Sequence, residues 1–323
     1  MDIRRVQETG GTFLVSLPKK WARANGIKKG NLIRIDERHD GGLILYSQVQ
    51  DQVHLETIVG LPSPHLRRDL IGKYLLGYDV IRITSKEMIG LSDREQVKSI
   101  VSRLIGLEIM EENSYRIVIQ CLLEPSSLIP DMVLRRECAI ALSMYKDAIT
   151  AFLGKNQQLA NVVLDRDDEV DRLYFLLVRL LRSAVQNPSL GGALEITPID
   201  CLDYRITANL VESVGDSAVE IADQVLSSQP VDLNSEQTAT LKVLSRKVEE
   251  AFDTAMRGLF LRDVDLAEQA TQKHEEALHL LKVFEEEATQ SMKTGISTFS
   301  IVISEISKIC QSAVDIADLV VGQ

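Results

Sequence analysis

The sequence predicts a mainly α protein. A C-terminal bundle of six helices, built as two three-helix repeats, follows a small α+β connector and an N-terminal β domain. Three observations carry this. From about residue 131 onward the apolar residues recur at helical spacing with few breakers. Within that stretch the chain nearly repeats itself, with SAVEIAD at 217–223 and SAVDIAD at 312–318. Aromatic residues make up 5% of the chain, which favours helices packed through Leu, Ile, Val and Ala over a β-rich core. A chain of 323 residues is too long for one small core, and the expected divisions are 1–48, 49–128 and 129–323.

The first division reads as short strands and one short helix. Residues 3–7 and 12–17 alternate apolar and polar, with Gly10-Gly11 as the hairpin turn between them. Pro18 opens a helix that ends at Gly26, and NLIRIDE and GLILYS flank a second turn at Asp40-Gly41. So short a segment, with the chain's one Trp and few large side chains, makes a poor core alone. It is expected to intertwine with a second copy, giving a homodimer or a higher homo-oligomer. The second division reads as a helix over 65–78, a strand at 79–85, a helix over 92–112 capped by Ser92, and a strand over 114–124; no chemistry is legible in it. Pro125 and Pro130 mark its end. The six helices are expected at 131–156, 158–187, 197–229, 234–261, 263–290 and 294–321, with breaks at Asn187-Pro188, Gly191-Gly192, Pro230 and Gly295. Helices of this length with short connections imply antiparallel packing.

Charge is unevenly placed. The net charge is −11, yet residues 1–35 hold eight Lys and Arg against two acids, a net +6, which leaves −17 on the remainder. A basic head on an acidic body points to a polyanion partner for the head alone. Apolar and charged fractions of 45% and 26% are those of a soluble globular protein. The N-terminus shows no apolar signal region, and no uncharged run reaches membrane-spanning length, so a cytoplasmic protein is expected. Cys121, Cys138, Cys201 and Cys310 are scattered, without a C-x-x-C pair, and read as reduced core thiols.

Four carboxylates stand out. Asp167 and Asp171 on one helix, and Glu212 and Asp216 on the next long one, are each spaced i,i+4, so each pair projects from one helix face. The second pair lies in an apolar frame of Leu210, Val211, Val214, Ala218 and Ile221, where like charges are costly. Four acids from neighbouring antiparallel helices make an oxygen-rich cage suited to magnesium, manganese, calcium, or iron with bridging oxygens. Asp165, Asp168 and Glu169 of the same acidic run read as a solvated face. At the equivalent positions of the second repeat stand His274, Leu278, Ser307 and Gln311: the packing frame stays and the charge goes. HEEALH at 274–279 resembles a zinc-protease helix, but its histidines are i,i+5 and diverge by about 140°. No nucleophile–base pair or phosphate-cradling glycine loop is present, so no catalytic residue is assigned and no enzyme is expected.

Residues 131–323 resemble a PhoU domain, with NLVESVGDSAVEIAD (209–223) similar to that family's N-x-x-E-R-x-G-D-x-A-x-x-I-A segment and Asp167/Asp171 similar to its acidic partner motif. Ser213 stands where the family commonly has Arg. The resemblance implies one metal site, at Asp167, Asp171, Glu212 and Asp216, for a divalent or ferric ion (iron, manganese, magnesium or zinc). Residues 1–47 are similar to the AbrB/SpoVT swapped-hairpin DNA-binding fold in GGTFLVSLPKKWARANGIKKGNLIRI. That resemblance implies DNA contacts from Arg4 and Arg5 on the first strand and from Lys19, Lys20 and Arg23 on the helix. The Gly10-Gly11 tip lacks the arginine of many relatives, leaving phosphate contacts and DNA shape as the means of recognition. The pair of resemblances implies a transcriptional regulator of phosphate homeostasis. The alternative is a signalling adaptor that binds phosphate transporter or kinase components and uses its head only to dimerise.

Overall fold

The computed structural model describes residues 3–37, 41–47, 55–227, 231–291 and 294–320. The chain divides into two compact units, residues 1–54 and 55–323; the connector and the helical bundle fall within the second.

In the first unit β1 (Gln7–Thr9) and β2 (Thr12–Leu14) form an antiparallel hairpin with Gln7 opposite Leu14. Gly10 and Gly11 both have positive φ (58° and 80°), which is why two glycines occupy this turn. Helix α1 (Lys19–Ala24) follows Pro18, and β3 (Arg34–Glu37) pairs antiparallel with β4 (Leu43–Tyr46). The turn expected at Asp40-Gly41 falls partly outside the described residues, since Asp40 is not among them. Arg4 and Arg5 do not sit on the first strand. Their alternation is strand-like, but β2 ends at the residue opposite Gln7 and offers nothing earlier to pair with. No described residue of this unit is buried. Ile3 (84%), Phe13 (71%) and Leu32 (75%) are among the most exposed apolar side chains of the chain.

The second unit begins with β5 (Glu56–Leu61), α2 (Leu66–Leu75), β6 (Val80–Ser85), α3 (Leu91–Ser102), β7 (Leu107–Glu112) and β8 (Arg116–Cys121). The sheet order is β5-β6-β8-β7, with β5 and β6 parallel across the α2 crossover and the other pairs antiparallel. Leu70, Tyr74, Ile81, Ile83, Val97 and Ile119 form its own core. Two expectations needed correction here. The helix predicted over 92–112 ends at Ser102, because Gly106 (φ 85°) reverses the chain and 107–112 becomes an edge strand against β8. Ser92 is not its cap; Gly90 holds the N-cap position. Strand β5, in which only Val59 is buried, carried too weak a pattern to be read.

A 3-10 turn at Pro125–Ser127 leads into α4 (Pro130–Gly154), α5 (Gln157–Gln186), a short α6 (Pro188–Ala193), α7 (Pro198–Ser227), α8 (Ser235–Leu261), α9 (Val264–Ser291) and α10 (Ile296–Ala317). The six long helices follow the predicted spans within a few residues, and α6 forms in the break expected around Pro188 and Gly191-Gly192. The break predicted at Pro230 lies outside the described residues. Helices α4, α5 and α7 pack on one another, as do α8, α9 and α10, and α10 joins the triplets by packing on α7. One continuous apolar core runs through both. No helix among the described residues is long and apolar enough to cross a membrane.

The sheet layer attaches to the bundle through α2 against α5. Arg179 of α5 is the main polar link. It is 3% exposed and donates to the carbonyls of Tyr74 (2.8 Å), Tyr78 (3.0 Å) and Gly77 (3.4 Å) and to the Asp79 carboxylate (3.0 Å). A guanidinium so buried is tolerable only because every direction it faces offers an acceptor.

Candidate metal centre

The two predicted carboxylate pairs meet where α5 crosses α7. Val170 stands between Asp167 and Asp171, and Gly215 between Glu212 and Asp216. A Cβ added to Gly215 would lie 3.4 Å from Val170 Cγ1, so the missing side chain lets the two backbones approach. Burial and mutual repulsion both act on the four acids. Burial first, then Asp171 and Asp216, push the Asp167 carboxyl up to about 6. Burial first, then Asp216, Asp171 and Asp167, push Glu212 up to about 7. Asp171 and Asp216 are raised as well, chiefly by burial. Because Asp171 and Asp216 act on both Asp167 and Glu212, all four belong to one electrostatic cluster.

Cations serve the cluster's outer edge. Arg103, just past the end of α3, pairs with Asp168 and lies 3.6 Å from Asp171. Glu169 pairs with Arg136 at 2.7 Å. Asp168 and Glu169 thus belong to a solvated, ion-paired face, as their position in the acidic run implies. Among the described residues no cation or donor pairs with Asp167, Glu212 or Asp216.

A fifth carboxylate was missed in the sequence. Glu137 of α4 is fully buried (0% exposed), and neither of its oxygens has a hydrogen-bond partner. Burial first, then the neighbouring Glu212 charge, drive its carboxyl well above the usual range, while Arg205 acts weakly the other way. Arg205 itself donates to the Tyr174 hydroxyl at 2.7 Å. The signal was available: Val133, Leu134, Cys138 and Ala141 share the buried face of α4, and Glu137 occupies a core position of that pattern.

The donor set is all carboxylate oxygen with a charge excess that the protein's own cations leave uncompensated, which fits a hard cation. Among the described residues no three His, Cys, Asp or Glu side chains already converge at ligand distance. To hold an ion, the partly exposed carboxylates would have to change rotamer, which their exposure permits.

In the second repeat the corresponding positions make a different structure. His274 is buried, its Nδ1 lies 2.9 Å from the Cys310 carbonyl oxygen and 3.3 Å from Cys310 Sγ. Burial holds the Cys310 thiol up at about 11, and Cys138 and Cys201 are likewise raised, which leaves all three as inert packing groups.

The DNA-contact residues expected from the sequence all lie in the first unit and are all exposed. Lys19, Lys20 and Arg23 lie on α1, while Arg4 and Arg5 precede β1.

Comparison with known proteins finds a family match in the helical bundle and another in the N-terminal unit. Residues 134–225 match the PhoU domain family, and residues 6–52 match the antidote-toxin recognition family MazE, a bacterial antitoxin. A phosphate-specific transport system accessory protein PhoU homolog from Rhizobium meliloti (strain 1021) is 30% identical over 87 residues, 27% of this chain. The match spans about a third (34%) of that relative's length. The crystal structure of the phosphate transport system regulatory protein PhoU from Streptococcus pneumoniae superposes with a TM-score of 0.50 at 15% identity, covering 59% of this chain and 91% of that one. The helical bundle thus has the fold of PhoU proteins. The chain carries a PhoU domain in that bundle and a MazE/AbrB-like domain at its N-terminus.

Proposed function

We propose that this chain is a PhoU-type regulator of phosphate homeostasis, which binds DNA through a dimeric N-terminal unit and a metal ion through Asp167, Asp171, Glu212 and Asp216. The observation that supports it best is the α5–α7 crossing, where the half-buried Asp167, Asp171 and Glu212 and the exposed Asp216 gather, and among the described residues only Asp171 has a cation within ion-pair distance, Arg103 and Arg205 acting on Asp167 and Glu212 from further off. A structural cluster of this kind costs stability unless something positive occupies it. A bound ion would supply that charge and tie α5 to α7 through oxygen ligands. The chain's own part is to hold the two pairs on facing helices, to keep Arg103 at the rim, and to leave the centre without a resident cation.

The N-terminal unit supports the other half of the reading. It carries the net positive charge of the chain, and its five candidate residues are exposed. Its likeness to an antitoxin family and the transport-system naming of the bundle's relative lead to two assignments, a DNA-binding regulator and a transporter-linked adaptor. The charge segregation favours the first. Fluorescence anisotropy of the full chain on a labelled duplex, between 50 and 300 mM salt on the order used for such titrations, separates them. A regulator shows affinity falling steeply with salt, and Lys19→Ala with Lys20→Ala and Arg23→Ala flattens that slope. Absence of binding at low salt, or an affinity untouched by the triple substitution, favours the adaptor.

A further inference from the structure

We infer that Glu137 is an additional ligand of the bundle's cation, supplied by α4, so that the site draws on all three helices of its triplet. The inference rests on the metal reading above and extends it inward.

Its starting point is an energetic anomaly. A carboxylate at 0% exposure with two unpartnered oxygens is among the costliest groups a core can hold. No side chain among the described residues donates a hydrogen bond to it. Arg205 is near enough to act on Glu137 electrostatically, but its guanidinium is committed to Tyr174 by a hydrogen bond and by lying 5.0 Å from the ring centroid. Glu137's other charged neighbour is Glu212, itself a member of the cage. The buried Glu137 on α4 thus lies within electrostatic reach of the half-buried Glu212 on α7, and no cation pairs with either among the described residues.

Packing alone does not call for an acid here. Position 137 belongs to the buried face that Val133, Leu134, Cys138 and Ala141 fill, and an apolar side chain there would complete the core without cost. The second triplet retains the bundle frame while replacing its counterparts of the cage by His274, Leu278, Ser307 and Gln311. The offset that relates Asp167 to His274 sets the buried Leu244 of α8 opposite Glu137, so an acid on the first helix accompanies the triplet that kept its carboxylates. An oxygen ligand beneath Glu212 accounts for both facts. It also makes the ion a cross-link of α4, α5 and α7, rather than of two helices at the surface.

The test uses the full-length protein stripped of metal and titrated with Mn2+, the free ion being followed by its EPR signal. The variants are Glu137→Gln, which keeps shape and removes charge, Glu137→Asp, which keeps charge and shortens reach, and Glu212→Ala with Asp216→Ala. Loss of a ligand is expected to cost at least the ~10–100-fold in affinity that loss of an outer-shell partner costs. Both Glu137 variants should therefore bind Mn2+ at least about tenfold more weakly, and saturating Mn2+ should raise their melting temperatures less than that of the wild type. Wild-type affinity in both Glu137 variants, with binding lost in the Glu212/Asp216 variant, overturns the role of Glu137 and leaves the four-carboxylate cage standing. Wild-type affinity in the Glu212/Asp216 variant overturns the cage, and the inference falls with it. Should Glu137→Gln not fold, Glu137→Asp decides the matter alone.

Discussion

Arg179→Met is expected to loosen the sheet layer from the helical bundle. The side chain is 3% exposed and makes hydrogen bonds to three backbone carbonyls and one carboxylate, all between Tyr74 and Asp79. Methionine fills much of the volume but supplies no donor, so three carbonyls and Asp79 lose the Arg179 hydrogen bonds together, while the Tyr74 carbonyl keeps the Gly77 N–H and Asp79 the Leu55 N–H. Removing one member of a buried charged network costs about 3–5 kcal/mol. Asp79 remains partly exposed, at 26%, and water can reach it, which places the cost near the lower end, about 3 kcal/mol. At roughly 2–4 °C per kcal/mol for a unit of this size, the melting temperature should fall by ~6–12 °C. Circular dichroism gives the melt, and amide exchange localises it: protection should fall first over 66–85, before the core of α7. Arg182→Met serves as the control, since Arg182 is exposed on the same helix and its loss should stay within about 0.5 kcal/mol. A shift of under about 2 °C for Arg179→Met, equal to the control, would refute the reasoning that this residue bears the attachment.

Two further outcomes follow from the site and from the first unit. Asp167 and Glu212 titrate near 6 and 7 when folded, above their unfolded values of 3.8 and 4.5. The folded state therefore holds more protons in that window, and metal-free protein should lose stability as pH rises from about 4 to about 8. Because the side chains are partly solvated and titrate as a coupled set, the loss is expected to be only about 1–2 kcal/mol. Urea melts across that range should show it, and Asp167→Asn with Glu212→Gln should reduce it, the raised Asp171, Asp216 and Glu137 keeping a remainder; an unchanged slope in that variant contradicts the assignment. In the first unit, Phe13 is 71% exposed within one chain, and Trp21 is the only tryptophan. If two copies share a core there, Trp21 emission shifts red on dilution, and Phe13→Asp shifts it red at every concentration. Emission indifferent to both contradicts the intertwined unit.

The helical bundle was legible because its signal is long: thirty-residue helices such as α5 and α7 repeat their apolar face many times and end at Pro and Gly. The gathering of the two carboxylate pairs was legible for the same reason, since i,i+4 spacing fixes direction on a helix whatever the surroundings. The connector was read less well. Leu91–Glu112 looks continuous in hydropathy, and only the positive φ at Gly106 divides helix from strand. β5 pairs through its backbone with β6 and buries a single side chain, so its side chains carry little record of the pairing. Glu137 was not singled out, although it sits among apolar residues at a core position of α4. The apolar period of α4 marks the position as core-facing, but its nearness to Glu212 depends on where α7 lies against α4, which no local pattern encodes. Arg103 and Arg179 were missed likewise, for each acts across helices far apart in the chain.

Metal content of the purified full-length protein, measured beside Glu212→Ala with Asp216→Ala by elemental analysis, tests whether the α5–α7 crossing is a cation site. The account predicts stoichiometric iron, manganese, magnesium or zinc in the wild type and none above background in the variant, with helical content unchanged. Equal metal in both, or a wild type that carries none and takes up none on addition, would contradict it.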